Sequence, residues 1–442
     1  MDEAEGPRCP PPLARSRRPP AAGPGDGASG SADGWVGRRF EVTVGPVAHG
    51  GHCVSRHEGR VVFVRHSLPG ERVVVQVTED RHVKYCRADA VEVLEAHPDR
   101  VERPCPHSGP GLCGGCDWQH VAPAQQRRLK ADVVAEQFFR LAGLDVDVPV
   151  EELPGGPLRW RSRARFAVDR SGAPGLHPHR SREVLPLDDC PITMEPAAGA
   201  VLSRRWPGAG AVDVAVDSEG AVTTTRLDRR GHPQSTRVVP AGEHRAVEAS
   251  GRAARRAWDR DWQVEGTGFW QVHPGAADAL VGAVAGFAAM VSGETVLDLY
   301  AGAGLFGGSL ASAVGPAGRV VCVEADGAAC AAAHANLADL PQAEVWEGEL
   351  DAEGIAGLLE DVGRPDVVVL DPPRAGAGPA VSQALAGAAP RAVVYVACDP
   401  ASLARDVAAF AEAGYRLAGL RAFDCFPMTA HVECVALLVP AA

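Results

Sequence analysis

From about residue 275 the chain repeats one unit, a short run rich in β-branched residues followed by an Ala-rich stretch. The runs are TVLDLY (295–300), RVVCVE (319–324), AEVWEG (343–348), DVVVLD (366–371) and AVVYVA (392–397), with two late runs near 415–423 and 431–439. Apolar runs of this length suit strands covered on both faces, and the segments between them suit crossover helices. The pattern restricts this part of the chain to a doubly wound, mostly parallel α/β sheet, in which ligands bind outside the carboxyl ends of the strands.

The remainder of the 442 residues has room for about two more domains at ~150 residues each. Residues 1–35 are Pro, Gly, Ala and Ser around a basic RSRRPP patch and read as a disordered tail. Residues 36–98 carry short Val-rich runs, FEVTV, RVVFV and ERVVVQV, at roughly ten-residue spacing, which predicts a small OB-like β-barrel. Residues 99–265 read as a central α+β domain with a cysteine-rich loop, a helix near Gln125–Leu141 and an arginine strand, RWRSRARF (159–166). At period two, Arg159, Arg161, Arg163 and Arg165 share one face. Such a row suits a phosphate backbone, and the alternative is an exposed edge strand blunted by charge.

The net charge of −12 argues at first against a nucleic-acid partner, but it is unevenly distributed. Residues 276–442 hold 7 Lys+Arg against 20 Asp+Glu, whereas residues 1–120 hold 15 against 16 and residues 121–275 hold 22 against 20. A polyanion is therefore expected on the first two-thirds. Only two of the 44 cations are lysines, a bias that reduces what any one arginine signifies. No run of eighteen apolar residues exists and the N-terminus has no apolar stretch, so neither membrane nor export is expected and the predicted location is cytoplasmic. A monomer is the default.

DLYAGAGLFG (298–307) follows the first strand of the sheet and opens a helix, with Glu324 at the end of the next strand placed to accept from ribose hydroxyls. Asp298 before the glycines would repel a pyrophosphate but suits a cationic sulfonium nucleoside such as S-adenosylmethionine. Two further motifs close strands, DPPR (371–374) and CDP (398–400). Cys398, near a helix start expected about Ser402, sits where a thiolate is favoured. A thiolate beside a methyl donor suits uracil C5, which becomes nucleophilic once sulfur adds at C6. A base must then remove the C5 proton, and Glu433 in HVE (431–433) is the candidate, against a structural carboxylate.

Together DLYAGAG, DPPR, YVACDP followed by LARD, and FPMTAHVE resemble the RNA uracil-5-methyltransferase family, which forms 5-methyluridine in transfer and ribosomal RNA. The resemblance covers about residues 36–442, the barrel resembling a TRAM domain. It implies a Rossmann-like methyltransferase domain over 266–442, with Cys398 as nucleophile and Glu433 as base. Cofactor contacts are implied for Gln271, Tyr300, Glu324, Glu349 and Asp371, and stacking of the target base for Phe269. Asp399 stands where the family more often has Asn, Ala301 where it has Cys, and Leu305 where a polar contact can occur. Asp399 is expected to raise the Cys398 thiol pKa. A TRAM-like domain together with a metal cluster tilts the implied substrate toward 23S ribosomal RNA over transfer RNA.

Cys105-x7-Cys113-x2-Cys116 and the distant Cys190 offer four thiolates. Spacing alone accepts zinc, a four-iron cluster or accidental free thiols. Some family members carry a [4Fe-4S] cluster on a similar arrangement with a first loop two residues shorter, and the resemblance implies that cluster here. Rival readings are a cytosine-5 RNA methyltransferase, a non-catalytic RNA-binding or assembly protein and, last, a redox enzyme.

Overall fold

The computed structural model describes residues 34–242, 247–248, 252–266 and 268–441. All but the last two residues of the expected disordered tail lie outside this range. Strands β1 (Arg39–Thr43), β2 (Cys53–His57), β3 (Arg60–Arg65), β4 (Arg72–Glu79) and β5 (Tyr85–Glu95) form one sheet in the order β1-β4-β5-β3-β2. Alternation explains it. Val73, Val75 and Val77 of β4, with Val62 and Val64 of β3, turn inward and are at most 1 % exposed.

Next come α1 (Pro123–Gln137), β6 (Val150–Glu151), β7 (Arg163–Val168), β8 (Pro174–Leu176), β9 (Leu185–Pro186), α2 (Glu195–Leu202), β10 (Ala211–Val216), β11 (Val222–Leu227), β12 (Pro233–Val239) and β13 (Val247–Glu248). A seven-stranded sheet, β13-β12-β11-β10-β7-β8-β9, is the body of this middle region. The hairpin β14 (Arg252–Ala257) and β15 (Arg260–Glu265) stands apart from it. Two pieces of the stretch expected to be central pack elsewhere. Strand β6 joins the edge of the C-terminal sheet, and the hairpin gives Ala253, Trp262 and Val264 to the core of that region.

The last region contains α3 (Ala276–Ala288), β16 (Thr295–Leu299), α4 (Leu305–Val314), β17 (Arg319–Glu324), α5 (Gly327–Asn336), β18 (Ala343–Glu347), α6 (Ala352–Val362), β19 (Val367–Leu370), α7 (Pro379–Gly387), β20 (Ala392–Ala397), α8 (Pro400–Glu412), β21 (Tyr415–Phe423) and β22 (Glu433–Pro440). They form the expected doubly wound sheet, ordered β18-β17-β16-β19-β20-β22-β21-β6, with β22 antiparallel to both neighbours. Successive residues face opposite layers: Val296, Val320 and Val394 pack with α3 and α4, while Leu297, Val321 and Val393 pack with α6, α7 and α8. Among the described residues no helix is long and apolar enough to cross a membrane.

The arginine row does not form as expected. The strand begins at Arg163, because Arg159 takes a left-handed φ of 55° that breaks the pleat. Arg159 donates to Asp189 at 2.6 and 2.8 Å, and Arg165 to Asp213 at 2.6 and 2.7 Å. Arg161 donates to the Arg163 carbonyl at 3.0 Å, and Arg163 itself to the Gly266 carbonyl at 3.3 Å. Carboxylates thus pair with Arg159 and Arg165, while Arg161 and Arg163 meet only carbonyls, and the four do not form one row on a single strand.

Candidate active site

The carboxyl ends of the parallel strands open into a cavity of about 1030 Å³. Gln271, Tyr300, Glu324, Glu349, Asp371, Cys398 and Glu433 all line it, so every residue expected to touch cofactor or target base reaches one space. Phe269, 72 % exposed, also lines it and offers an aromatic face.

The floor is built from backbone. Gly304, at φ 87°, turns the chain from β16 into α4, and Asp298 Oδ2 accepts from Gly307 N at 2.7 Å. Glu324 accepts from Gly302 N, Ala325 N and Asp326 N, each at 2.9 Å, which orients its carboxylate at the β17 end. Tyr300 donates to the Leu350 carbonyl at 3.2 Å and so ties the glycine loop to the Glu349 segment. The two departures in the loop have a packing role: Ala301 and Leu305 are 5 % and 8 % exposed and belong to the core.

Sheet register brings Cys398 and Glu433 together. Ala397 of β20 pairs with Cys434 of β22, so the next position outward sets Cys398 beside Glu433. In the free enzyme burial pushes the Cys398 thiol up to about 11, with the Glu433 charge adding to the effect and Arg374 opposing it. Burial and the neighbouring carboxyl groups therefore outweigh the expected gain from the helix terminus. Burial, followed by the Asp371 charge, holds the Glu433 carboxyl well above the usual carboxylate range. Asp371 rises to about 7 through burial and the nearby Asp298. A cationic ligand entering here would favour ionised carboxylates, as the sulfonium reading requires.

Several residues that sequence reasoning left without a role also line the cavity: Arg374, Phe426 and His431. Arg374 lay within the DPPR motif, and Phe426 and His431 within FPMTAHVE, so all three were signalled and not used. The loop 424–432 that delivers Glu433 is held from outside the catalytic domain. Met428, at φ 69°, accepts at its carbonyl from Asp117 N and Trp118 N at 3.1 and 3.0 Å, and donates to Gln126 Oε1 at 2.8 Å. Lys130, fully buried, reaches Asp424 at 2.5 Å and the Phe426 carbonyl at 3.0 Å.

Cys105, Cys113, Cys116 and Cys190 converge on a second, small cavity of about 20 Å³, and all four are free thiols. Three of the sulfurs accept hydrogen bonds, Cys116 from Gln119 Nε2 at 3.3 Å, Cys190 from Thr193 Oγ1 at 3.2 Å and Cys113 from Gly115 N at 3.4 Å. Donors aimed at sulfur are compatible with thiolate ligands, while burial raises the Cys105, Cys113 and Cys116 thiols in the absence of a metal charge. Among the described residues no three His, Cys, Asp or Glu side chains are grouped so as to hold a single metal ion.

Comparison with known proteins agrees with this geometry. Residues 35–91 match the TRAM domain and residues 269–440 the tRNA (uracil-5-)-methyltransferase family. A protein of Streptomyces coelicolor named an RNA methyltransferase is 47% identical over 435 residues, covering 92% of this chain and 94% of its own. A 23S rRNA (uracil(1939)-C(5))-methyltransferase of Alkalilimnicola ehrlichii is 32% identical over 438 residues, covering 90% of this chain and 96% of its own. Among solved structures, the tRNA (uracil-54, C5)-methyltransferase of Pyrococcus abyssi in complex with S-adenosyl-L-homocysteine shares the fold, with a TM-score of 0.67 and 22% identity over 90% of this chain and 100% of that one. With the cavity, its strand-end acids and the full-length relatives in agreement, the chain belongs to the RNA uracil-5-methyltransferase family and is an S-adenosylmethionine-dependent RNA methyltransferase.

Proposed function

We propose that the protein forms 5-methyluridine in 23S ribosomal RNA through a covalent adduct between Cys398 and uracil C6. The observation that carries this is the pairing of β20 with β22, which sets Cys398 beside Glu433 within the cavity that Gln271, Tyr300, Glu324, Glu349 and Asp371 also line. S-adenosylmethionine, when bound by those five residues, supplies the methyl group. Cys398 Sγ adds to C6 of a uridine turned out of its stack, and the electron pair moves to C5, which takes the methyl group. Glu433 then removes the C5 proton, and the returning electrons expel the sulfur. Arg374 is the cation that favours the Cys398 thiolate, and Phe269 stacks on the target base.

The ribosomal relative supports a 23S target, and a cytoplasmic setting belongs to the same proposal. A transfer-RNA target is the second reading, because the family model and the Pyrococcus enzyme carry that name. Tritium release from RNA labelled at uracil C5 tests both. Release from unmodified ribosomal RNA that requires the cofactor and vanishes in Cys398→Ala is the expected result. Release from transfer RNA alone would move the target, and none from either pool would sink the uracil-5 assignment.

The reading extends to Cys105, Cys113, Cys116 and Cys190, which would hold a [4Fe-4S] cluster, with zinc as the alternative. The convergence of four thiols and their hydrogen-bond donors support it. Methyl transfer consumes no electrons, so the group would cross-link the loop that precedes Asp117. Anaerobically purified protein is expected to be brown with about four irons per chain, and Cys113→Ser to lose the colour. Colourless protein containing zinc would decide for the alternative.

A further inference from the structure

The loop between β1 and β2 leaves the barrel and docks beside the nucleophile. Gly51, at φ 80°, lies so close to the loop carrying Glu433 that a Cβ there would meet Ala430 Cβ at 2.5 Å. Trp118 Nε1 donates to the Gly51 carbonyl at 3.2 Å and fixes the same turn. This seating puts His49 Nε2 2.9 Å from Asp399 Oδ2.

Asp399 immediately follows Cys398, and its second oxygen is already committed. Oδ1 accepts from Ala401 N at 3.0 Å and Ser402 N at 2.9 Å, capping α8. Burial opposes ionisation of Asp399, yet the bonds from His49 and the helix amides hold its pKa at about 2. The group is therefore a permanent negative charge next to the reacting sulfur. It is one of three carboxylates that disfavour the Cys398 thiolate, with Glu433 and Asp371, while Arg374 favours it. The hydrogen bond to Asp399 raises the pKa of His49, burial and Arg405 acting the other way and Glu136 adding slightly.

We propose that His49, contributed by the barrel, is a positioning residue for methyl transfer, its imidazolium neutralising the Asp399 carboxylate beside the Cys398 sulfur. The barrel then does more than hold RNA, because it completes the charge balance of the catalytic centre. The proposal rests on the reading of Cys398 as nucleophile.

The test is site-resolved alkylation of the Cys398 peptide by iodoacetamide, followed by mass spectrometry across pH on the full chain without RNA. Removing the imidazolium exposes one adjacent charge, which is worth about one pKa unit, so His49→Gln is expected to slow alkylation about tenfold below the His49 pKa. The sign follows from which form compensates. The cation is present at low pH and is lost as pH rises through the raised His49 pKa, so the two proteins converge at high pH.

Asp399→Asn keeps the helix cap and removes the charge. It is expected to alkylate at least as fast as wild type, alone or combined with His49→Gln, even if the single His49 variant is less stable. Coincident profiles for wild type and His49→Gln, or a double variant as slow as His49→Gln, would overturn the proposal. Methyl transfer by Cys398→Ala is measured in parallel. Its persistence would remove the nucleophile reading while leaving the alkylation result to stand or fall by itself.

Discussion

Glu433→Gln is expected to stall the reaction after methyl transfer and leave RNA covalently attached to the protein. Gln has the size and hydrogen-bonding outline of the acid, so the position, 3 % exposed, remains filled. It cannot accept the C5 proton, and without that loss the sulfur at C6 has no electrons to expel it. Turnover should fall by about 10²- to 10⁴-fold, the usual contribution of a positioned base. A band of retarded mobility should build up on a denaturing gel when cofactor and radiolabelled RNA are supplied. The same band should be absent from Cys398→Ala/Glu433→Gln. Turnover near wild type in Glu433→Gln would assign the proton to another group, with Asp371 and His431, which also line the cavity, as the candidates.

The second large effect concerns a residue with no side chain. Gly307 lies in the first turn of α4, where helix propensity alone would favour alanine by about 0.5–1 kcal/mol. Packing reverses that sign. A Cβ at 307 would fall 2.3 Å from Cys322 Sγ, 3.1 Å from Asp298 Oδ2 and 3.2 Å from Val320 Cγ1, all in the fully buried β16–β17 seam. Overpacking of this kind costs about 1–3 kcal/mol, and relief requires α4 to lift from the sheet. The lift would break the Gly307 N to Asp298 bond that anchors the cofactor loop. Gly307→Ala should therefore melt several degrees lower and bind S-adenosylmethionine more weakly by calorimetry. A variant as stable as wild type with unchanged affinity would show that the loop is not held in this way.

What the sequence disclosed depended on how locally each feature is encoded. Asp371 and Cys398 were legible because each ends an apolar run, and a strand end in a parallel sheet is already a location. Glu433 was legible because its motif begins the last run. The arginine row was misread because its partners are distant in the chain: Asp189 lies 30 residues from Arg159, and Asp213 lies 48 from Arg165. A left-handed residue at 159 leaves no mark in a hydrophobicity pattern. Asp399 was expected only to burden the thiol. It does contribute to that burden, but it also caps α8 and receives His49 from 350 residues away. The hold on Met428 from Asp117, Trp118 and Gln126 was invisible for the same reason.

The short strand β6 has a consequence for how the protein is made. Its partner is β21, and Arg421 forks onto Glu151 with two bonds of 2.8 Å across 270 residues of chain. At ~5–20 residues per second of synthesis, Glu151 has been part of the chain for roughly 14 to 54 s before Arg421 is added. During this interval β6 and Val134 of α1 have no sheet to cover them, whereas Leu129 and Val133 of α1 already have the β1–β5 sheet. Segment β21 to β22 therefore both joins β6 to the sheet and brings in Glu433, so a nascent chain that has not yet reached β21 leaves β6 without its partner and the cavity without that carboxyl.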